Sequence, residues 1–147
     1  EIRDLLYSVV RQESEFSSEA VSYSGAVGLM QIMPNTARML SRLEKIDYNE
    51  EQLLEDTHYN IQLGTRYLLD LINKFKGSYI YAISSYNAGP TRVKSWIRNN
   101  PDIEMIDWIE LIPYRETRNY VKSVLRNRYY YKILLYTDDN NTKFFLI

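Results

Sequence analysis

Cysteine is absent from the 147 residues, which removes disulfides, thiolate nucleophiles and Cys-based zinc sites and leaves the redox compartment open. Histidine occurs once, as His58. With no Cys and no second His beside it, a zinc site lacks ligands, so no metal is expected. A Ser-His-Asp arrangement is poorly supported for the same reason, and no Gly-rich loop stands ready to cradle phosphate. Neither sign of charge is in excess: 18 Lys plus Arg face 19 Asp plus Glu. Nothing therefore points to nucleic acid, and no basic amphipathic stretch points to a membrane surface. No apolar run approaches the ~20 residues a membrane span needs. The chain opens at Glu1 with no initiator Met and no signal peptide, so it is expected to be a trimmed piece of a larger protein with a further N-terminal region.

What the chain does have is tyrosine, 14 residues of it against four Phe. Such rings carry an apolar body and a hydroxyl that needs a partner. They suit sugar-binding grooves and half-buried helix faces alike. Hydrophobic residues make up 45% of the sequence, enough for a real core, and the length fits one compact domain.

Glycine and proline are few, five and four, and fall between stretches of helical period. Ile2, Leu5, Leu6, Val9, Val10, Glu13 and Phe16 follow the i, i+3, i+4, i+7 rule of an amphipathic helix. A small-residue loop runs from Ser17 through Gly28. Pro34 suits a first helical position, opening a helix with Ala37, Leu40 and Leu43 inward. Residues 44–56 read as an acidic loop with a short helical turn. Ile61, Gly64, Leu68, Leu71, Ile72 and Phe75 predict a longer helix closed by Gly77. Tyr79, Ala82, Ile83 and Tyr86 predict another, closed by Gly89 and Pro90. Shorter helices are predicted at Val93–Ile97 and Met105–Ile112, the latter ending before Pro113. A last stripe runs through Thr117, Tyr120, Val121, Val124, Leu125, Tyr131 and Leu135. The tail from Thr137 to Ile147 reads as a strand or an extended arm. No repeat or low-complexity linker interrupts the chain.

Glu13 is the informative residue, because it shares the apolar stripe of its helix with Val9 and Val10. Glu15, roughly 200° further round, faces water. A carboxyl among apolar neighbours has its pKa raised, because desolvation disfavours the charged form. That is what a general acid needs near neutral pH. The plainer alternatives are that Glu13 snorkels out at the helix end, or pairs with an arginine such as Arg115 or Arg118.

Four ordered blocks carry a resemblance. The first is Arg11-Gln12-Glu13-Ser14-Glu15-Phe16 followed by Ala20 to Pro34, with Gly25-Ala26-Val27-Gly28-Leu29-Met30-Gln31-Ile32-Met33-Pro34 at its end. The second is Asn60-Ile61 with Gly64-Thr65-Arg66-Tyr67-Leu68. The third is Ser85-Tyr86-Asn87-Ala88-Gly89-Pro90, with Ser85 where Ala is usual. The fourth is Ile112-Pro113-Tyr114 with Glu116-Thr117-Arg118-Asn119-Tyr120-Val121. Together, over about residues 5–131, they resemble the SLT-type lytic transglycosylase family, related to goose-type lysozyme.

The resemblance implies a mainly α, lysozyme-like single domain of about six to eight helices around a substrate groove. It implies a catalytic domain over residues 1–132 and a C-terminal extension of unknown role over 133–147. It makes Glu13 the catalytic acid and Ser22 a serine close to it. Met30, Gln31 and Met33 become groove-lining residues, and Tyr86 and Asn87 the pair facing the catalytic carboxyl. Glu116 is implied to contact the stem peptide or floor the groove, and Tyr120 to stand beside the catalytic centre. Each keeps a structural reading. Met30 and Met33 can fill core gaps, and Gln31 can satisfy loop backbone. Tyr120 can be ordinary core, Glu116 a helix N-terminal acid, and Asn87 part of a helix end.

The activity implied is cleavage of the MurNAc-β-1,4-GlcNAc bond of peptidoglycan without water, leaving 1,6-anhydro-MurNAc ends. Glu13 would act first as acid and then as base, with no cofactor. The stretch from Ser17 to Gln31 contains one carboxylate, Glu19, and so offers no obvious second acid to position water. The alternatives are a hydrolytic muramidase and a non-catalytic peptidoglycan-binding module. The partners expected are glycan strands and their stem peptides, in the periplasm or cell envelope of a bacterium.

Overall fold

A computed structural model describes residues 2–136. Among them run eight helices: α1 (Arg3–Ser14), α2 (Pro34–Glu44), α3 (Glu50–Glu55), α4 (Thr57–Lys74), α5 (Tyr79–Ala88), α6 (Pro90–Asn99), α7 (Met105–Glu110) and α8 (Arg115–Tyr136). The architecture is mainly α. The tail expected as a strand or arm, from Thr137 onward, lies outside the described residues.

Helix starts follow local chemistry. Asn49, Asp56 and Ser78 accept backbone N–H groups at the openings of α3, α4 and α5, the usual use of such side chains at helix N-caps. Pro34 and Pro90 sit at the first helical positions of α2 and α6, where their missing N–H costs nothing. Pro90 thus opens a helix as well as following one.

The core forms where these helices face inward. Leu5 and Val9 of α1 meet the buried face of α8, which includes Val121 and Val124, and α1 against α8 is the most extensive helix pair. Helix α5 packs on α4, α6 and α8. Its inward residues Ala82, Ser84, Ser85 and Ala88 are small and buried, which lets neighbouring backbones approach closely. Asp4, 2% exposed, is held by Arg128 Nε at 2.7 Å, while the Arg128 guanidinium lies 4.5 Å from the centre of the Tyr79 ring. A buried carboxylate is rarely found unless paired in this way, and the pair ties the start of α1 to α8.

Two side chains expected inside are outside. Leu43 is 51% exposed, because α2 turns its Ala37–Leu40 face inward and ends at Glu44. Phe16 is 47% exposed, because α1 ends at Ser14 and both Glu15 (φ 51°) and Phe16 (φ 63°) adopt left-handed backbone. The helical stripe no longer governs where that ring points.

Candidate active site

The geometry of the site begins at the last turn of α1. Glu13 lies one turn beyond Val9 and Val10, so its carboxyl leaves the helix on the face that meets α8. There the Tyr120 hydroxyl donates to Glu13 Oε1 at 2.5 Å. Burial pushes the Glu13 pKa from its ordinary 4.5 up to about 7; the Tyr120 bond pulls it down and the charge of Glu116 adds a further rise. The alternative ion pair with an arginine is not what holds it. Arg118 donates instead to the Glu110 carbonyl at 3.3 Å.

Glu13 opens onto a cavity of about 380 Å³, lined also by Gln12, Asn87, Glu116, Asn119, Tyr120 and Ser123. Glu116, in the first turn of α8, faces this cavity. Asn87, at the end of α5, accepts a hydrogen bond from the buried Thr117 through its Oδ1 at 2.7 Å. With its oxygen engaged, its NH₂ group remains as a donor for the cavity.

The Tyr86 hydroxyl feels the charge of Glu13, and burial with that charge holds its pKa well above the ordinary tyrosine value. Burial and Glu13 do the same to Tyr120. Both hydroxyls therefore remain protonated donors at any working pH. Tyr86 donates to the Met30 carbonyl at 2.7 Å and packs its ring 5.3 Å from that of Tyr67. It stands on the wall of a second, smaller cavity of about 110 Å³ with Gln31, Met33, Thr36 and Tyr67.

The loop between α1 and α2 shapes this wall, and side chains satisfy much of its backbone. Gln31, in left-handed backbone with φ 48°, donates through Nε2 to the carbonyls of Ala20 at 3.0 Å and Gly28 at 2.9 Å. Ser14 Oγ donates to Leu29 O at 2.8 Å. Asn60, 1% exposed, donates to Val27 O and Leu53 O and accepts from Met30 N, each at 2.9 Å. Gly28, at φ 76°, passes so close that a Cβ there would stand 2.3 Å from Asn60 Nδ2.

One expected site residue is placed differently. Met30 does not line the groove: its side chain is 0% exposed and lies against Gly64, where an added Cβ would meet Met30 Sδ at 2.4 Å. It serves through its carbonyl, under Tyr86. Ser22 lines neither cavity, and its hydroxyl accepts the Ala26 N–H at 2.9 Å within the loop. Glu13, Asn87, Glu116 and Tyr120 come together in one cavity, and Gln31, Met33 and Tyr86 in the other. Among the described residues no group of three or more His, Cys, Asp or Glu is placed to hold a metal ion.

The same blocks of sequence match known proteins. Residues 2–109 match the family model of the transglycosylase SLT domain. The chain belongs to the SLT family. Residues 111–138 match the model of the soluble lytic transglycosylase helical domain. The SLT chain is 41% identical over 127 residues to the soluble lytic murein transglycosylase of Salmonella typhimurium, covering 85% of this chain and 20% of that protein. It superposes on the inactive mutant of lytic transglycosylase Slt from Pseudomonas aeruginosa with a TM-score of 0.85 at 40% identity, covering 90% of this chain and 22% of that one. On the 70 kDa soluble lytic transglycosylase of Escherichia coli the TM-score is 0.87 at 38% identity, covering 90% and 22%. The chain thus spans about a fifth of the length of these relatives.

The SLT cavity also uses residues that the sequence reading passed over. Asn119 and Ser123 line it. With Glu116 and Tyr120 they fall at i, i+3, i+4 and i+7, so a polar face of α8 was there to be read. Gln12 in this cavity and Tyr67 in the smaller one stood in the family blocks without a site role, because what they do depends on what packs opposite them.

Proposed function

We propose that this chain is the catalytic part of a lytic transglycosylase that cleaves peptidoglycan glycan strands. The observation that carries the reading is the Glu13 carboxyl, half-buried, bonded to Tyr120 and with a pKa of about 7. Such a group is protonated often enough at neutral pH to donate and ionised readily enough to take a proton back.

Glu13 protonates the oxygen bridging N-acetylmuramic acid and N-acetylglucosamine, and that C–O bond breaks. Positive charge at the anomeric carbon is met by the substrate's own acetamido oxygen. Glu13, now a carboxylate, removes the proton from the muramoyl C6 hydroxyl, whose oxygen closes on the anomeric carbon. The acetamido oxygen is released, Glu13 is protonated again, and the product is a 1,6-anhydro sugar. The NH₂ of Asn87, free because Thr117 takes its oxygen, suits a substrate carbonyl. Met33, 42% exposed, and Gln31 offer a wall for the neighbouring sugar. The catalytic unit is assigned to residues 1–132 and the extension to 133–147. Helix α8 runs unbroken to Tyr136, so the extension starts as its last turn. The relatives named above are murein enzymes, which supports a periplasmic or envelope location. No helix among the described residues is long and apolar enough to cross a membrane.

Glu116 favours a second reading. Ordinary glycosidases flank the bond with two carboxylates, and Glu116 shares the cavity of Glu13. A hydrolytic muramidase would use it to activate water. Mass spectrometry of digested sacculi separates the two: anhydro ends support transglycosylation, and products one water heavier support hydrolysis. Absence of any cleavage, followed by turbidity of purified wall, would leave a binding module.

A further inference from the structure

The Leu29–Met30 peptide is gripped at both of its polar ends by side chains from different helices. Ser14, at the end of α1 and next to Glu13, donates through Oγ to the Leu29 carbonyl at 2.8 Å. Asn60, in the first turn of α4, accepts the Met30 N–H on Oδ1 at 2.9 Å. A peptide unit is planar, so two anchors on its opposite edges fix the plane as a whole. One residue further on, the Met30 carbonyl takes the Tyr86 hydroxyl at 2.7 Å. Nothing in the mechanism above uses Ser14 or Asn60.

Three observations raise this grip above ordinary satisfaction of loop backbone. Asn60 is 1% exposed, and its amide also donates from Nδ2 to Val27 O and Leu53 O at 2.9 Å each. Turning the amide over would set its donors against the Met30 N–H and its acceptor against two carbonyls, so its orientation is fixed. The joint between the grip and the Met30 carbonyl is stiff as well. The Met30 side chain is fully buried against Gly64, and Gln31, the next residue, keeps a left-handed φ of 48° with its N–H on the Gly28 carbonyl at 3.1 Å. Finally, the helices joined are those of the candidate site: α1 holds Glu13, α5 holds Tyr86, and the Glu13 charge acts on the Tyr86 hydroxyl.

We infer that Asn60 is a positioning residue of the active site: with Ser14 it holds the Leu29–Met30 peptide, and through the Met30 carbonyl it sets where the Tyr86 hydroxyl stands relative to Glu13. Asn60 lines neither cavity, so its influence passes through Tyr86. Groups around a reacting centre have to be held to within roughly 0.5 Å, and a misplacement of about 1 Å can cost about 10²-fold in rate. A hydroxyl whose acceptor is loose does not meet that tolerance. The inference deepens the cleavage reading and rests on it for the effect on rate; the effect on Tyr86 rests on the geometry alone.

The test is a double-mutant cycle, with glycan strands as substrate, between Asn60→Leu, which keeps the branched shape without the amide, and Tyr86→Phe, which deletes the hydroxyl. Asn60→Leu is expected to lower kcat at least about tenfold and to leave KM within about twofold. In the Tyr86→Phe background the same substitution should cost less than about twofold further, because the group it acts through is gone. Losses that multiply in full in the double variant, or an unchanged kcat in folded Asn60→Leu, overturn the inference. Ser14→Ala releases the other edge of the peptide and should show the same non-additivity with Tyr86→Phe. It decides the question if Asn60→Leu does not fold, and full multiplication there overturns the inference equally. NMR of ring-labelled tyrosine adds a readout that needs no turnover. The Tyr86 Cζ signal, identified by its loss in Tyr86→Phe, should move in Asn60→Leu and in Ser14→Ala. A signal that stays in place in folded variants overturns the inference, even where their melting temperatures fall. A parent chain that cuts no strand refutes the cleavage reading instead, and the Cζ signal still decides whether the grip governs Tyr86.

Discussion

Tyr120 and Glu13 stand 107 residues apart in the chain and 2.5 Å apart in space. The contact closes α1 onto α8 at the point where an acid has been taken out of water. Burial and the bond act in opposite directions on the same proton. Burial wins, and the carboxyl settles at about 7. Without the tyrosine it would rise further and give up its proton less readily; without the burial it would be an ordinary carboxylate, ionised at neutral pH.

Glu13→Gln keeps the shape of the side chain and removes the titrating proton. Release of anhydro product is expected to fall by at least about 10²-fold, the low end of what general acid–base catalysis contributes. Retention of glycan strands on the variant should be unchanged. Mass spectrometry of digested wall beside a pull-down reads both, and normal product release would show that Glu13 is misassigned.

The same substitution should change stability with a definite sign. Folded Glu13 holds its proton to about pH 7, against an ordinary value of 4.5. The stabilisation from that proton is therefore complete below the lower value and lost as pH rises through the higher one. Glu13→Gln has no such loss, so its stability relative to the parent should improve by about 2 kcal/mol between pH 5 and pH 8. Denaturant melts at the two pH values check this, and a difference independent of pH would contradict the burial assigned to the carboxyl.

Tyr120→Phe removes the bond that lowers the Glu13 pKa while leaving the ring in place. In the free enzyme kcat/KM requires protonated Glu13, so its falling limb above about pH 7 should move to higher pH, and the maximum should drop. A pH–rate profile that keeps its limb in place would detach the tyrosine from the titration.

How far the sequence carried this site follows from what periodicity can express. Glu13, Val9 and Val10 share one helix, so the inward acid was visible in their spacing alone. Its partner Tyr120 showed itself as part of a stripe, with Thr117, Val121 and Val124, that serves both core and site. The family blocks, rather than the stripe, singled it out. The loop between α1 and α2 has no period. Nothing in its letters says that Gln31 turns its amide back to Ala20 and Gly28, or that Met30 is swallowed whole. Asn60 was legible as a family position, but two of its three hydrogen bonds, those to Val27 and Met30, join segments about 30 residues apart. Phe16 failed for a local reason: the helix ended two residues earlier than its apolar pattern.

Thr117 is expected to matter through Asn87. Thr117→Val keeps the volume but frees the Asn87 oxygen now held at 2.7 Å, so the amide can turn its acceptor toward the substrate carbonyl. Loss of one such bond is worth about 1 kcal/mol. The corresponding fall in kcat/KM, about fivefold, should appear mainly in KM if Asn87 holds the ground state. Thr117→Ser restores the hydroxyl and should restore the rate; equal damage from both substitutions would indicate packing alone.

Gly64 sets two physical effects against each other. In the middle of α4, replacing glycine by alanine ordinarily stabilises a helix by about 1 kcal/mol. Here the added Cβ would lie 2.4 Å from Met30 Sδ and 2.7 Å from Met30 Cβ. The sulfur end can swing away, but the Cβ moves only with the backbone, and that backbone carries the carbonyl to which Tyr86 donates. Overpacking of this kind costs about 1–3 kcal/mol, so Gly64→Ala should be destabilising on balance and should lower activity by disturbing Tyr86 beside Glu13. Thermal melts with initial rates on purified wall give the answer. A more stable variant with full activity would mean that Met30 yields freely and that its carbonyl does not govern where Tyr86 stands.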